Sequence, residues 1–419
     1  MTNQQLRLLY LSNAFPPGVT GRFPSLNPAG HATETRMIQA LSQQTRMVTV
    51  GLLPGGVWGK LEPRDDSFGW EHELLLWQRK PELWHRWRSW RQLRRFYLER
   101  TAREGGFDVV LVRNLSPIFN HFIRWLRRQR PRPLIALVLA DSGQLGEKIS
   151  IARRLRYRLK PMQTLDGEAI LRYDACISFG IDTKRYFESR GVPWLWMPSA
   201  FNFRYDPPPA DPAPGQPIRF GYFGSLAEHA CIIPLVRTFL DLRLPGTLHV
   251  CGHGGSSETL KNLAASHPHF HFDGLLPRAS DCLAWAQQVD VLINPRLPWE
   301  GAENSFPSKL FEFAMTGKAV LSTRTGGVDQ VLGEEGLYLD TDNFEADLRW
   351  KLGEVAAMDR AELQRRGTAI RCRVLKDFNW EAQTRRMVEF LTGIMNAPPV
   401  FLLDDLGHTR FNESFNGHE

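Results

Sequence analysis

One pattern constrains this chain more than any other. Short apolar runs, each followed by a longer stretch of helical spacing, recur on both sides of a proline-dense segment, Asp206-Pro207-Pro208-Pro209-Ala210-Asp211-Pro212-Ala213-Pro214-Gly215. The runs at 6–11, 108–112, 134–139, 219–223 and 289–293 are apolar nearly throughout. Strands covered on both faces read this way, and helical stretches between them imply a parallel sheet with helices on either side, the α/β class. Proline at that density neither continues a helix nor sits in a central strand, so 206–215 reads as a stiff linker. It separates a domain at 1–205 from one at 216–396, and 397–419 reads as a polar tail, loop or disordered. A chain of 419 residues is long enough for two such cores.

Charge divides at the same place. Residues 1–210 carry 32 Lys and Arg against 18 Asp and Glu, a net +14, while residues 211–419 carry 20 against 27, a net −7. Nine of the 13 tryptophans lie in the first half. That asymmetry points to an anionic surface as a partner of the first half. Its focus is the stretch 83–103, where Leu83, Trp84, Trp87, Trp90, Tyr97 and Leu98 form one helical stripe interrupted by Arg91 and Arg94. Basic stretches at 124–132 and 153–160 add to it, and the alternative is an ordinary helix packed on the sheet. A nucleic-acid platform finds no recognisable binding module. No apolar run approaches the roughly 20 residues of a membrane span, and the N-terminus lacks signal-peptide features. Five scattered cysteines without CxxC spacing suit a reducing compartment, so the expected location is cytoplasmic.

The most chemically suggestive stretch follows the run 289–293. A polar loop with Pro295, Arg296, Pro298 and Glu300 leads into Asn304-Ser305-Phe306-Pro307-Ser308-Lys309-Leu310-Phe311-Glu312 and ends at Gly317. Ser305 reads as an N-cap, Pro307 as a first-turn proline and Gly317 as the closing residue. A helix opening on the carboxyl edge of a parallel sheet offers N–H groups and a positive dipole end to phosphate. Lys309 opposes that dipole, which a bound anion would compensate. Glu312 lies one turn beyond Ser308, so both can address one ligand, the carboxylate taking ribose hydroxyls. Singly, Lys309 is a solvated cation and Glu312 an ordinary first-turn acid; together they read as a nucleotide seat. His267, His269 and His271 beside Asp273 alternate as strand residues would, which suits edge positions better than a metal.

Several segments, taken with this block, resemble the GT-B glycosyltransferases of the retaining, family-4 type, in the subgroup with a Ser-Phe-Pro-Ser-Lys donor-site block. They are Phe107-Asp108-Val109-Val110-Leu111-Val112, Tyr173-Asp174-Ala175-Cys176-Ile177-Ser178, Met197-Pro198-Ser199-Ala200-Phe201-Asn202, Phe220-Gly221-Tyr222-Phe223-Gly224-Ser225, Asp273-Gly274-Leu275-Leu276-Pro277, Asp290-Val291-Leu292-Ile293-Asn294-Pro295 and Gly326-Gly327. The resemblance spans about residues 6 to 395 and is most specific after the linker. It implies two Rossmann-like domains facing across a cleft, and transfer of a sugar from a nucleotide-sugar donor to an acceptor hydroxyl with retained configuration. Gly224, Ser225, Arg296, Asn304, Ser305, Ser308, Lys309, Leu310 and Glu312 would hold the donor. Gly30, His31 and Asp141 would lie on the acceptor side, with His31 and Asp141 the catalytic candidates. By their residues alone, His31 is equally a half-exposed helix-start histidine, and Asp141 a cap of the Asp-Ser-Gly turn. The resemblance implies no cofactor and no bound metal. The basic, Trp-rich first half suggests a glycan or lipid-linked acceptor in polysaccharide or glycolipid assembly at the cytoplasmic membrane face.

The sequence also departs from the family pattern. Asn304 stands where the first of two paired glutamates falls, Ser225 and His229 where an Arg and a Lys fall, and Ala140 where a histidine often falls. These motivate an alternative, a GT-B domain that binds a nucleotide-sugar or glycan without turnover.

Overall fold

The computed structural model describes residues 5–12, 28–53, 71–77, 82–140, 169–200, 205–208, 215–276, 278–298, 306–397, 402–403 and 409–410. The chain divides into two compact units, Ser199–Asn379 forming one and Met1–Pro198 with Trp380–Glu419 the other. The division falls ahead of the proline segment. Tyr205 donates its hydroxyl to the Leu283 carbonyl, and Arg371 holds the Tyr205 carbonyl and Asp206 at 2.8 and 3.1 Å, all within the second unit. The last long helix, Trp380–Asn396, belongs to the first unit, where it packs on the helix Pro28–Ser42. Gln44 Nε2 fastens it there, donating to Thr384 Oγ1 at 2.7 Å.

The first unit is built on a seven-stranded sheet of order β3-β2-β1-β4-β5-β6-β7, in which every pairing is parallel. Its strands are β1 (Arg7–Ser12), β2 (Arg46–Leu53), β3 (Glu71–Trp77), β4 (Val109–Arg113), β5 (Leu134–Leu139), β6 (Ala175–Ser178) and β7 (Trp194–Trp196). The second unit repeats the plan with β8 (Arg219–Ser225), β9 (Thr247–His253), β10 (Phe270–Gly274), β11 (Val291–Asn294), β12 (Ala319–Thr323) and β13 (Leu337–Leu339). Their order is β10-β9-β8-β11-β12-β13, again wholly parallel. In each sheet the chain steps outward from its first strand, then reverses direction. The reversal leaves a crevice at the carboxyl ends of β1 and β4 in one unit, and of β8 and β11 in the other.

Aspartates at the opposite, amino edge fix the central pairings. Asp108, just before β4, accepts from the Arg7 amide of β1 at 2.7 Å, and Asp290, just before β11, accepts from the Arg219 amide of β8 at 2.9 Å. Asp174, just before β6, does the same for the Ile135 amide of β5. Asp290 also takes the Arg219 guanidinium at 3.1 and 2.9 Å and Arg360 at 3.0 Å. Burial alone would raise its carboxyl, but the hydrogen bonds from Arg219 outweigh it and hold the pKa below the usual value.

In the first unit the helices Glu82–Glu104 and Pro117–Leu126 pack together over the sheet. Ser116 caps the second of these and Pro117 opens it. Tyr97 meets Phe107, Phe122 and Trp125 at ring separations below 6 Å, and Leu93, Phe96, Ile118 and Phe119 fill the rest of that layer. This packing rotates the helix 82–104 away from the expected stripe. Ser89, Leu93, Phe96 and Tyr97 are buried, whereas Trp87 and Leu98 are each 45% exposed. The basic stretch 124–132 is also largely spoken for, since Arg127 and Arg132 both bind Asp174. The stretch 153–160 lies outside the described residues. In the tail, Leu402–Leu403 pairs antiparallel with Thr409–Arg410, a short ladder where only loop or disorder was expected.

The Asp290 latch yields a prediction. Asp290→Asn keeps the amide contact and leaves two arginines short of their carboxylate, so unfolding should become easier by about 2–3 kcal/mol. Because the folded carboxyl titrates below its unfolded value of about 3.9, its contribution is fully present above that pH and disappears as pH falls through the folded pKa. Urea melts at pH 7 should separate wild type from variant, and the gap should close in acid; an equal gap at pH 3 would contradict this.

Candidate functional site

The crevice of the second unit is bounded by β8 and β11, and glycine shapes its floor. β8 ends in Gly224 and Ser225, paired with Gly252 and His253 of β9. Gly224 and Gly252 both have φ of +155°, and a Cβ on Gly252 would stand 2.0 Å from the Gly224 carbonyl oxygen. The two strand ends approach so closely only without a side chain there. Tyr222 turns its hydroxyl back to donate to the Ser225 carbonyl at 2.6 Å, which fixes the end of the strand.

Opposite, β11 ends in Asn294, whose Nδ2 donates to Ser322 Oγ of β12 at 2.8 Å in a buried contact. Thr323 Oγ1 donates to the Arg296 carbonyl at 2.6 Å, so the loop leaving β11 is tied to the next strand. The Leu297 amide reaches the His229 carbonyl in the loop after β8. Arg296 is thereby held half-buried beside Tyr222 and His229. Burial brings its guanidinium down to about 10, Tyr222 pulling the other way. His229 is lowered too, by burial and then by Arg296, which favours its neutral form at neutral pH. A desolvated guanidinium beside a neutral imidazole is a ready partner for an anion.

The helix expected from about Ser305 begins later, at Lys309, and runs to Met315. Ser308 precedes it in a helical conformation and makes no side-chain cap. The Leu310 amide is used in a tight turn, donating to the Pro307 carbonyl at 2.9 Å, so it does not point outward as expected. Gly317, at φ +71°, closes the helix. Lys309 Nζ binds Glu312 Oε2 at 2.7 Å and stands 5.7 Å over the Phe223 ring, one residue before Gly224. Phe223 and Phe313 pack at 4.7 Å and hold the helix against β8. Gly224, Ser225, Arg296, Ser308, Lys309, Leu310 and Glu312 are thus gathered at one edge of one sheet. Asn304 and Ser305 lie outside the described residues. Tyr222, Asn294 and Thr323, which place these groups, carried no signal in the sequence alone.

In the first unit, Gly30 and His31 lie in the first turn of the helix Pro28–Ser42, which opens on Pro28. Asp141 lies outside the described residues. Sequence reading missed a polar cluster at this unit's own crevice. Tyr10 of β1 donates to Glu34 Oε1 at 3.3 Å, and Arg113 at the end of β4 stands 3.6 Å from Glu34 Oε2. All three are buried or nearly so, and burial followed by the Glu34 charge pushes the Tyr10 hydroxyl well above its usual value.

Of the histidines, His271 stacks on His249 at 4.5 Å and His269 contacts the Gly246 carbonyl. Among the described residues no three His, Cys, Asp or Glu side chains form a metal-binding group. No helix there is long and apolar enough to cross a membrane.

Residues 217–357, which span the second sheet and the edge just built, match the family model of glycosyl transferases group 1. No curated protein is similar enough in sequence to be matched with the chain. Among solved structures, a glycosyltransferase from Rickettsia africae ESF-5 superposes with a TM-score of 0.61 at 13% identity, covering 94% of this chain and 100% of that one. Anabaena Alr3699/HepE, in complex with UDP, gives 0.58 at 12% over 93% and 100%. The lipopolysaccharide outer core galactosyltransferase WaaB gives 0.57 at 13% over 93% and 99%. Identities this low speak for the fold alone. The chain therefore has the GT-B architecture of two parallel-sheet Rossmann-like domains, and residues 217–357 of its second unit match the model of glycosyl transferases group 1.

Proposed function

We propose that this chain transfers a sugar from a nucleotide-sugar to an acceptor hydroxyl with retention of configuration, its second unit holding the donor. The observation that carries the reading is the edge between β8 and β11, where Gly224 and Ser225, Arg296 and the Lys309–Glu312 pair converge within the segment matched to the group 1 transferases. Lys309 and Glu312 form an exposed ion pair of the kind worth about 0.2–1 kcal/mol, so opening it costs little. Once opened, Lys309 and Arg296 address the diphosphate, with Ser225 and Ser308 beside them, and Glu312 accepts the ribose hydroxyls.

The chemical task is to stabilise charge on the departing diphosphate, and fixed donors around it supply most of that. A front-face departure, in which the leaving phosphate takes the acceptor proton, needs no carboxylate nucleophile. Asn304, an amide where an acid would stand in the family pattern, suits such a route. No metal or cofactor enters it. Gly30, His31 and Asp141 belong to the acceptor side, with His31 and Asp141 the catalytic candidates there.

The acceptor we favour is a glycan or lipid-linked sugar met at an anionic membrane face, in polysaccharide or glycolipid assembly. The support is the solvent face of the helix Glu82–Glu104, where Trp87, Leu98, Arg91 and Arg95 are exposed and the Arg91 guanidinium lies 4.6 Å over the Trp87 ring. Indole and guanidinium together suit the headgroup boundary.

A thermal-shift screen against UDP-, GDP-, CDP- and dTDP-sugars without added metal should single out one base. The gain should be about 2.7 kcal/mol at 100 times Kd. Slow donor hydrolysis without acceptor should accompany it and fall about 10- to 100-fold in both Lys309→Ala and Glu312→Ala, the loss of one charged hydrogen bond each. Unchanged turnover in both variants would refute the site; a shift without turnover would favour the non-catalytic reading. Flotation with phosphatidylglycerol vesicles at low salt should carry wild type upward and lose a Trp87→Ala, Arg91→Gln, Arg95→Gln variant. Wild type remaining at the bottom would refute the membrane reading.

A further inference from the structure

A second cavity lies at the far corner of the same unit, beside the edge strand β13, and the donor reading makes no use of it. It encloses about 430 Å³, within the usual range of small-molecule sites, about 300–1,000 Å³. Its walls are Arg324 from the end of β12, Tyr338 of β13, Asp340 and Thr341 just beyond, and Asp347 and Lys351 of the helix Phe344–Ala356. β13 pairs with β12 alone, so the backbone groups of its outer edge add donors and acceptors to that wall.

We infer that this cavity binds a pyranose unit of a neutral oligosaccharide. The charges argue for it. The Arg324 guanidinium lies 4.1 Å over the Tyr338 ring and, among the described residues, has no hydrogen-bond or ion-pair partner. Lys351 is already bound to Glu354 at 2.8 Å. A phosphate would meet one uncommitted cation and the carboxylates of Asp340 and Asp347, and a metal ion would meet a guanidinium. A ring of hydroxyls uses both signs at once, each hydroxyl donating to a carboxylate and accepting from a guanidinium.

The rim supplies the remaining element of sugar recognition. Trp350 is 61% exposed, unusual for so large an aromatic, and its ring lies 4.3 Å from the Nζ of Lys351, a residue of the cavity wall. An exposed indole next to a cavity of mixed hydrogen-bonding groups has the apolar face and polar surround that a pyranose presents in reverse. A peptide strand added to β13 is the poorer fit, since only three residues offer an edge before the chain turns into the cavity wall.

The test uses the full chain and a defined panel of maltoheptaose, cellohexaose, isomaltohexaose, and mannan- and galactan-derived hexamers, followed by isothermal titration calorimetry. At least one should bind wild type, and Trp350→Ala and Asp347→Asn should each weaken that binding at least 10-fold. The thermal shift with the nucleotide-sugar and the slow donor hydrolysis should stay unchanged in both variants, which separates this site from the donor site. Failure of every oligosaccharide to bind wild type overturns the inference, as does binding that survives both substitutions. Loss of the nucleotide-sugar shift in either variant, with circular dichroism melts unchanged, would assign the cavity to the donor site and overturn it as well.

Discussion

Everything at the carboxyl edges depends on what is fastened at the amino edges. An aspartate placed just before a strand accepts from the backbone of its neighbour: Asp108 from Arg7, Asp174 from Ile135 and Asp290 from Arg219. Side chains alternate with a period of two, so a slip of one residue would exchange the side chains that β4 or β11 presents to the two helix layers. Two of the three latches join the strand pairs that straddle a reversal of strand order, β1 with β4 and β8 with β11. The register they fix decides which residues meet at the other end, a strand's length away. With Arg219 held to Asp290, Val291 pairs with Phe220 and Leu292 with Gly221, and the two strands carry Gly224 and Ser225 to the same edge as Asn294 and Arg296.

The two units share that frame and fill their crevices differently. In the first, Tyr10, Glu34 and Arg113 occupy the space between strand ends with a buried polar cluster that also draws the helix Pro28–Ser42 onto the sheet. Its charges face one another, with Arg113 Nη1 buried and without a hydrogen-bond partner among the described residues. In the second, glycines empty the corresponding floor, and the nearest charges sit on the loop and helix above it. Burial lowers the Arg296 guanidinium, whereas Arg113 in the first unit stands beside the Glu34 carboxylate. The same topology thus yields one crevice consolidated by its own residues and one whose polar groups suit a ligand.

The sequence made the central strands plain, because a strand buried on both faces must be apolar along its whole length. Edge strands escape that requirement. β3 opens on Glu71, His72 and Glu73, and β13 is three residues long, so neither stands out as an apolar run. A cap and a proline together did not suffice to place a helix start: beyond Pro307 a turn closes from the Leu310 amide to the Pro307 carbonyl, and the helix waits until Lys309. The stripe read along 83–103 failed for a tertiary reason, since Tyr97 found aromatic partners on the helix Pro117–Leu126, Leu93 and Phe96 were buried in the same core, and Trp87 was left outward. Among site residues, charge and position sufficed to find Arg296, Lys309 and Glu312. Asn294 and Thr323 act through contacts 28 and 27 residues away in the chain, and no local pattern announces those.

The Lys309–Glu312 pair closes the physical account of the edge. Lys309 is the first residue of its helix, where a cation opposes the positive dipole end, while Glu312 in the same turn favours it. The order of the pair, cation before anion along the helix, is also the weaker one. The ion pair that holds them at 2.7 Å is therefore formed against the dipole and in the less favourable order, and Lys309 remains 46% exposed. An anion seated over this turn reverses both terms. It gives Lys309 a counter-charge on the side the dipole prefers, and it releases a carboxylate to accept hydrogen bonds from neighbouring hydroxyls. A phosphate with a ribose attached would meet both conditions at once, which is the physical ground on which the proposed function seats a nucleotide here.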